Sequence, residues 1–272
     1  MKQSKHIHRY HRHGSFSYPA SLGTKIYSIL LGPLLVVGVM YILAKFFSFA
    51  YPHTTISFGT LALATGATLS RLFIAYIFSV LIAIPLALFI TWKPSLETIF
   101  LPIFDILESI PILAFFPVVI LVFLRFNFLN GAAIFIIFLD MVWNILFTLI
   151  GGLKLIPRDI IDAAKVFKIN GPNYFFRVIL PSIVPQLVTG SIIAVAQGWN
   201  IIIVAEVMHV YLPGGTAASD LFGIGSILVQ ASGSGQTTIF IMAIVTMVLT
   251  IAFFNFFVWQ KLLHYAQRYR FE

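Results

Sequence analysis

The sequence predicts an all-α fold, a polytopic membrane bundle of about six transmembrane helices. Of its 272 residues, 60% are hydrophobic and 10% charged, against roughly 25% charged in a soluble domain. Mean hydropathy is +0.99. Six apolar stretches are long enough to cross a hydrocarbon core, which takes about 20 residues as a helix. None alternates with a period of two, and lipid admits only helices or closed barrels, so helices are expected throughout.

In chain order the stretches are Ile26–Phe49, Leu72–Trp92, Phe104–Leu124, Gly131–Ile150, Ile183–Met208 and Thr238–Trp259. The first follows a basic segment, yet its apolar run outlasts a signal-peptide core and no small-x-small cleavage pattern follows. It is expected as a retained anchor. Residues 1–25 are then a basic tail, and 26–272 form one membrane domain with a long charged loop at 151–182. Residues 56–71, small and mildly apolar, either extend the second helix or lie at the outer interface. Pro85, Pro111 and Pro117 are placed to kink their helices.

Lys and Arg set the direction. With the N-terminus inside and six crossings, 14 of the 17 basic residues fall inside, the exceptions being Lys45, Arg71 and Arg125. Both termini are therefore expected in the cytoplasm, in a plasma or inner membrane. Trp92 beside Lys93 and Trp259 near Lys261 suit interfacial anchors. Topology thus accounts for the net charge of +8, and no nucleic-acid partner is needed to explain it. His6, His8, His11 and His13 sit among Lys and Arg in the tail. They are expected as part of a basic segment near anionic lipid rather than as a metal site.

Covalent catalysis is not expected. The chain has no cysteine, and no Ser/His/Asp set or carboxylate pair is placed for it. His209 and Asp220 share an outer segment, 209–237, without a visible orienting group. Gly233-Ser234-Gly235-Gln236-Thr237-Thr238 is Gly-rich but lacks the lysine of a phosphate-binding loop, so a flexible loop is expected there.

Polar residues inside the spans usually face a bundle interior or a pathway. Asp140 falls near mid-bilayer, with Asn144 four residues on along the same face. Two readings of Asp140 stand, an inter-helix contact or a pathway group. Gln197 and Asn200 share a face, and with Trp143 and Trp199 they are pathway candidates or helix-packing groups. Glu206 is expected near the outer boundary, touching the outer loop or gating a pore. Asp105 and Glu108 lie early in the third span, with a basic partner from a neighbouring loop as one option.

The 151–182 loop carries the most specific pattern, Ile156-Pro157-Arg158-Asp159 through Asp162-Ala163-Ala164 to Val178-Ile179-Leu180-Pro181. Asp159 is a plausible N-cap for a helix running to about Ile169. Asn170-Gly171 reads as a stop and Pro172 as a new start, giving a helix–turn–helix elbow. This pattern resembles the loop of ABC importer permeases, which runs Glu-Ala-Ala, three residues, Gly, nine residues, Ile-x-Leu-Pro. Asp162 stands for the acid, Ala163 and Ala164 for the pair, and Leu180-Pro181 for the end at the required spacing. Lys168 stands where the family has glycine, which implies that the first helix continues to the turn at Asn170-Gly171.

Further segments resemble the nitrate/sulfonate/taurine branch of these permeases, and most closely a half-unit of a duplicated anion permease within it. They are Ser109-Ile110-Pro111, Phe116-Pro117, Gly198-Trp199-Asn200, Val204-Ala205-Glu206 and Phe222-Gly223-Ile224-Gly225. The resemblance implies a type I, MetI-like bundle that imports a small solute such as nitrate, a sulfonate, taurine or bicarbonate. Asp162, Ala163, Ala164, Lys168, Gly171, Leu180 and Pro181 would couple it to an ATPase. The implied partners are that ATPase, which would hold ATP and Mg, a second permease copy in a homodimer, and an extracytoplasmic solute-binding protein. A stand-alone secondary transporter or channel is the alternative, with Asp140 its one mid-membrane coupling candidate.

Overall fold

A computed structural model of the chain describes residues 56–212, 214–216 and 219–269, together with positions 34, 37, 38 and 41, all four helical. The basic tail with its histidines and the rest of the Ile26–Phe49 stretch lie outside the described residues. The chain divides into two units, Met1–Lys45 and Phe46–Glu272. All helices named below belong to the second.

Helix α1 is Phe58–Thr91, capped by the Ser57 hydroxyl, which accepts from the Gly59 amide at 3.2 Å. Most of residues 56–71 are thus helix, an early extension of the second stretch, and Pro85 lies inside α1 without ending it. The third stretch is not one straight span. Helices α2, Pro94–Ser109, and α3, Ile112–Arg125, meet at 84°. Pro111 causes the break: it disfavours the helical conformation at the preceding residue, and Ile110 is extended at φ −74°, ψ 126°. Pro117, inside α3, leaves that helix continuous.

Helix α4, Leu129–Lys154, is the centre of the bundle and packs chiefly against α1 and α6, Pro172–Glu206. Its buried side chains include Ile136, Ile137, Met141, Ile145, Leu146 and Leu149. Glycines let α6 approach closely. A Cβ at Gly190 would meet Thr148 Cβ at 3.0 Å, and one at Gly198 would strike Met141. Small residues at such crossings are how helices associate where lipid supplies no hydrophobic drive.

Between α4 and α6 lies the short α5, Arg158–Val166. The start of α6 contains a π-helical turn, Phe175–Ile179, immediately before Leu180-Pro181. A wider turn there accommodates a residue that has no amide to donate. The expected short second helix of the elbow is therefore the first two turns of α6 itself.

The segment 209–237 also departs from expectation. It folds in part as helix α7, Ile224–Gly233, and the Gly-rich stretch makes a tight turn with Gly235 at φ +69°. Helix α8, Thr237–Tyr269, follows directly, with a second π-helical turn at Asn255–Trp259. His209 and Asp220 are oriented after all: the Asp220 carboxylate accepts from the His209 amide at 3.0 Å and lies 2.8 Å from its ring Nδ1.

All regular structure among the described residues is helical. α1, α4, α6 and α8 are each long and apolar enough to cross a membrane, and the bent α2–α3 pair supplies a fifth candidate. Large apolar side chains such as Phe73, Phe89, Leu121, Leu249 and Phe253 point outward. Between Thr237 and Phe254 of α8 only Ala243 is buried. Apolar outward faces of this kind match a multi-pass membrane protein.

Candidate functional site

The elbow is built by local backbone geometry. The Ile169 amide donates to the Ala164 carbonyl at 2.9 Å and the Lys168 amide to the Lys165 carbonyl at 3.0 Å, while Lys168 takes φ +54°. These two bonds around a left-handed residue form a Schellman cap. So α5 stops at Val166 rather than continuing to Ile169, and Lys168 adopts the backbone conformation that glycine adopts most easily. Asp159 is in the first turn of α5, not at its cap, which is Pro157. Gly171, at φ +61° and ψ −138°, then turns the chain into Pro172 at the start of α6.

Ala164 is buried, whereas Ala163 is exposed on the same helix. Beside it Val166 and Phe167 are 78% and 76% exposed. Asp162 pairs with Lys165 at 2.8 Å, and the lysine's hydrogen bond and charge hold the Asp162 carboxyl below its ordinary range. As pH falls through that lowered value the carboxylate protonates and the pair is lost. Leu180 and Pro181 are half-buried where α6 leaves the elbow.

Four of the seven pathway candidates converge. Asp140, Trp143, Asn144 and Gln197 line one cavity of about 560 Å³, bounded by the α2–α3 corner at Ser109, Ile110, Pro111 and Ile112. Non-helical backbone at membrane depth is tolerated where it lines such a cavity. Glu108, passed over as a site in the sequence, joins the same lining. Asn144 does not hold the Asp140 carboxylate: its amide donates to the Asp140 backbone carbonyl at 3.1 Å. The buried Oδ2 of Asp140 has no hydrogen-bond partner among the described residues.

The other three candidates lie elsewhere. Trp199 is buried against a separate apolar cavity of about 560 Å³, with Tyr76 and Trp259. Asn200 is exposed, donating to the Ala196 carbonyl of its own helix at 3.2 Å. Glu206 is fully buried at the end of α6 rather than resting in a wet boundary. It accepts from Arg71 Nη1 and Thr68 Oγ1, both at 2.7 Å, and from the Gly225 amide at 2.8 Å. Arg71 also donates to Asn130 Oδ1 and the Phe222 carbonyl, each at 2.9 Å. A Cβ at Gly223 would strike the Glu206 carboxylate. Arg71, counted as an exception to the inside bias of charge, is thus a buried partner. That mismatch was the one signal in the sequence that could have found it.

With the cavity, the elbow and the Glu206 cluster placed, relatedness can be read onto them. The model of the family described as binding-protein-dependent transport system inner membrane component matches residues 79–264. The chain belongs to this family. Within this transport component, the matched region takes in the elbow, the cavity lining and Glu206 with Gly223, while Arg71 and Thr68 precede it. A nitrate import permease protein from Leptolyngbya laminosa is 32% identical over 180 residues, 66% of this chain and 60% of the relative. A bicarbonate transport system permease protein from Synechocystis matches with the same identity and coverage. The taurine transport system permease protein of Escherichia coli is 26% identical over 224 residues, 82% of this chain and 76% of the relative. The chain thus spans about 60% of the length of the first two relatives.

Proposed function

We propose that this chain is the membrane-spanning permease subunit of an ATP-binding-cassette importer. The observation that carries the reading is the elbow, where an apolar pair, Val166 and Phe167, is exposed beside Ala163 in a charged segment. A lipid-facing surface has no need of that placement; a protein partner does. The elbow is continuous with α6, whose Gln197 reaches the cavity. Asp162, Ala163, Ala164, Lys168, Gly171, Leu180 and Pro181 form the docking surface and its lever. ATP and Mg belong to the docked ATPase, and this chain itself performs no hydrolysis.

The cavity beneath the α2–α3 corner is the translocation path. Glu108 and Gln197 are exposed on its rim, and a second copy of the chain closes that side. A solute-binding protein delivers cargo from outside, and both termini are cytoplasmic. Cargo is a small solute of the anion class named for the relatives, nitrate, bicarbonate or taurine. The test is co-purification of the tagged chain with an ATPase, paired with uptake by the Ala163→Asp variant. Loss of both docking and uptake is expected, because a charge replaces the small exposed residue beside the apolar pair. An unchanged uptake, or a chain that never retains an ATPase, refutes the assignment.

A further inference from the structure

Three hollows follow one another along α8, and neither the cavity at the α2–α3 corner nor the docking face of the elbow uses them. The first is the apolar cavity of about 560 Å³ between α1, α6 and α8, lined by Tyr76, Val195, Trp199, Trp259 and Leu262 among others. No Asp, Glu, Lys, Arg or His lines it among the described residues. Val258 and Trp259 enter its wall from the π-helical turn of α8, and Trp259 meets Tyr76 edge to face at 6.5 Å. Phe73, also in the wall, is 63% exposed. The cavity thus opens on an apolar outward face, where hydrocarbon is the natural filler.

The second hollow, of about 390 Å³, begins where the first ends. Tyr265, three residues beyond Leu262 on the same helical face, lines it with Lys261, His264 and Arg268. The third, of about 320 Å³, shares Arg268 and adds Arg177 and the buried Ser182 from the elbow end of α6, with Tyr269 of α8 and Ile160 of α5. The Tyr265 and Tyr269 hydroxyls are 2.9 Å apart and join the second hollow to the third. No Asp or Glu lines either one among the described residues, and Arg177, Lys261 and Arg268 form no ion pair with a described residue.

Positive charge therefore collects at one end of an apolar trough. An ordinary solvated face mixes both signs, and a face that only meets hydrocarbon carries neither. Two guanidinium groups lining one hollow suit a phosphate, which accepts their paired N–H donors. Basic hollows between membrane helices near the bilayer surface take anionic headgroups. Free phosphate, or an acidic protein surface, satisfies the basic end and leaves the apolar trough without a use. An amphiphile satisfies both.

We propose that the trough binds one anionic phospholipid from the leaflet at the elbow end of the bundle. Its phosphate lies between Arg177 and Arg268, with Lys261 and His264 beside the headgroup, and an acyl chain runs past Leu262 and Trp259 into the apolar cavity. Because Ile160 of α5 closes the headgroup hollow, the lipid joins the elbow helix to α6 and α8. The inference needs only that α6 and α8 cross the membrane, and it stands apart from the permease reading.

The full-length chain in detergent is titrated with dioleoylphosphatidylglycerol, and bound lipid is counted by native mass spectrometry. Dioleoylphosphatidylcholine is the zwitterionic control and glycerol 3-phosphate the soluble headgroup. The anionic lipid is expected to bind one per chain, about tenfold tighter than the control, and to resist displacement by glycerol 3-phosphate. Arg177→Gln and Arg268→Gln should each remove most of that preference, about tenfold, since each deletes a charge-assisted hydrogen bond. Gly66 lines the apolar cavity, and a Cβ added there meets no atom within 4 Å. Gly66→Leu therefore fills space without displacing a neighbour and should weaken both lipids alike. If one arginine variant does not fold, the other decides together with Gly66→Leu. Equal retention of the two lipids, a preference unchanged in the arginine variants, or full displacement by glycerol 3-phosphate overturns the proposal. ATPase co-purification is read on the same preparations. Arginine variants that lose the ATPase and keep the lipid preference assign the basic end to that partner and overturn the lipid site. A chain that retains its ATPase without any lipid preference sinks this inference and spares the permease reading.

Discussion

Lys168 stands at φ +54° in the cap of α5. A side chain with a Cβ pays roughly 1–2 kcal/mol in that region. Lys168→Gly should stabilise the elbow by about 1 kcal/mol, and Lys168→Val should weaken it. Hydrogen exchange at the Ala164–Pro172 segment reads this directly, with about fivefold slower exchange in the glycine variant. Sequence reasoning set this residue at the glycine position of the family pattern and expected the helix to pass through it. The reason is physical: side-chain preference argued against the left-handed region, and two cap hydrogen bonds outweighed that preference. Glu206 carries a second residue-scale prediction. Removing one partner of a buried pair leaves the other charge stranded, so Glu206→Ala should cost about 3–5 kcal/mol. Arg71→Met with Glu206→Leu should recover much of that loss, and thermal unfolding in detergent distinguishes the two cases. Gly223→Ala, which drives a methyl group into the Glu206 carboxylate, should also unfold at lower temperature.

At the scale of elements, the long apolar helices were the most legible part of the chain. Composition and length alone located the cores of α1, α4, α6 and α8. The breaks were harder to read. Pro111 was visible as a kink point, but an 84° corner depends on Ile110 settling into an extended conformation, and hydropathy is blind to backbone angle. Helix α7 was hidden for another reason: its ten residues, rich in Gly and Ser, resemble a loop in composition. Of the pathway candidates, Asp140, Trp143, Asn144 and Gln197 came together, while Trp199, Asn200 and Glu206 did not, because spacing along one helix fixes a face but not which neighbour that face meets. The corner is testable. Pro111→Ala restores an amide donor and frees Ile110 to become helical. Spin labels on cysteines placed at positions 101 and 121 should then move apart as α2 and α3 straighten. No native cysteine competes for the label.

At the scale of the whole molecule, the elbow and the Glu206 cluster lie at opposite ends of one helix. α6 has 35 residues and is about 50 Å long at roughly 1.5 Å per residue. Its far end is tethered by Glu206 to α1 through Arg71 and Thr68, and to the first turn of α7 through the Gly225 amide. If the chain works as the proposed permease, replacing Arg71 should loosen coupling as well as stability: ATPase turnover in the assembled transporter should persist while uptake per ATP falls.

On the proposed reading, that tether makes α6 a geared rod with its fulcrum at Glu206. Gln197 lies nine residues from the fulcrum, about 13 Å along a rod of about 50 Å. A sideways stroke of about 4 Å at the elbow would swing the helix by some 4–5° and shift the cavity wall by only about 1 Å. The arrangement trades distance for force. On that reading, a broad sweep by a docked partner would be delivered as a small, strong movement at the cavity wall.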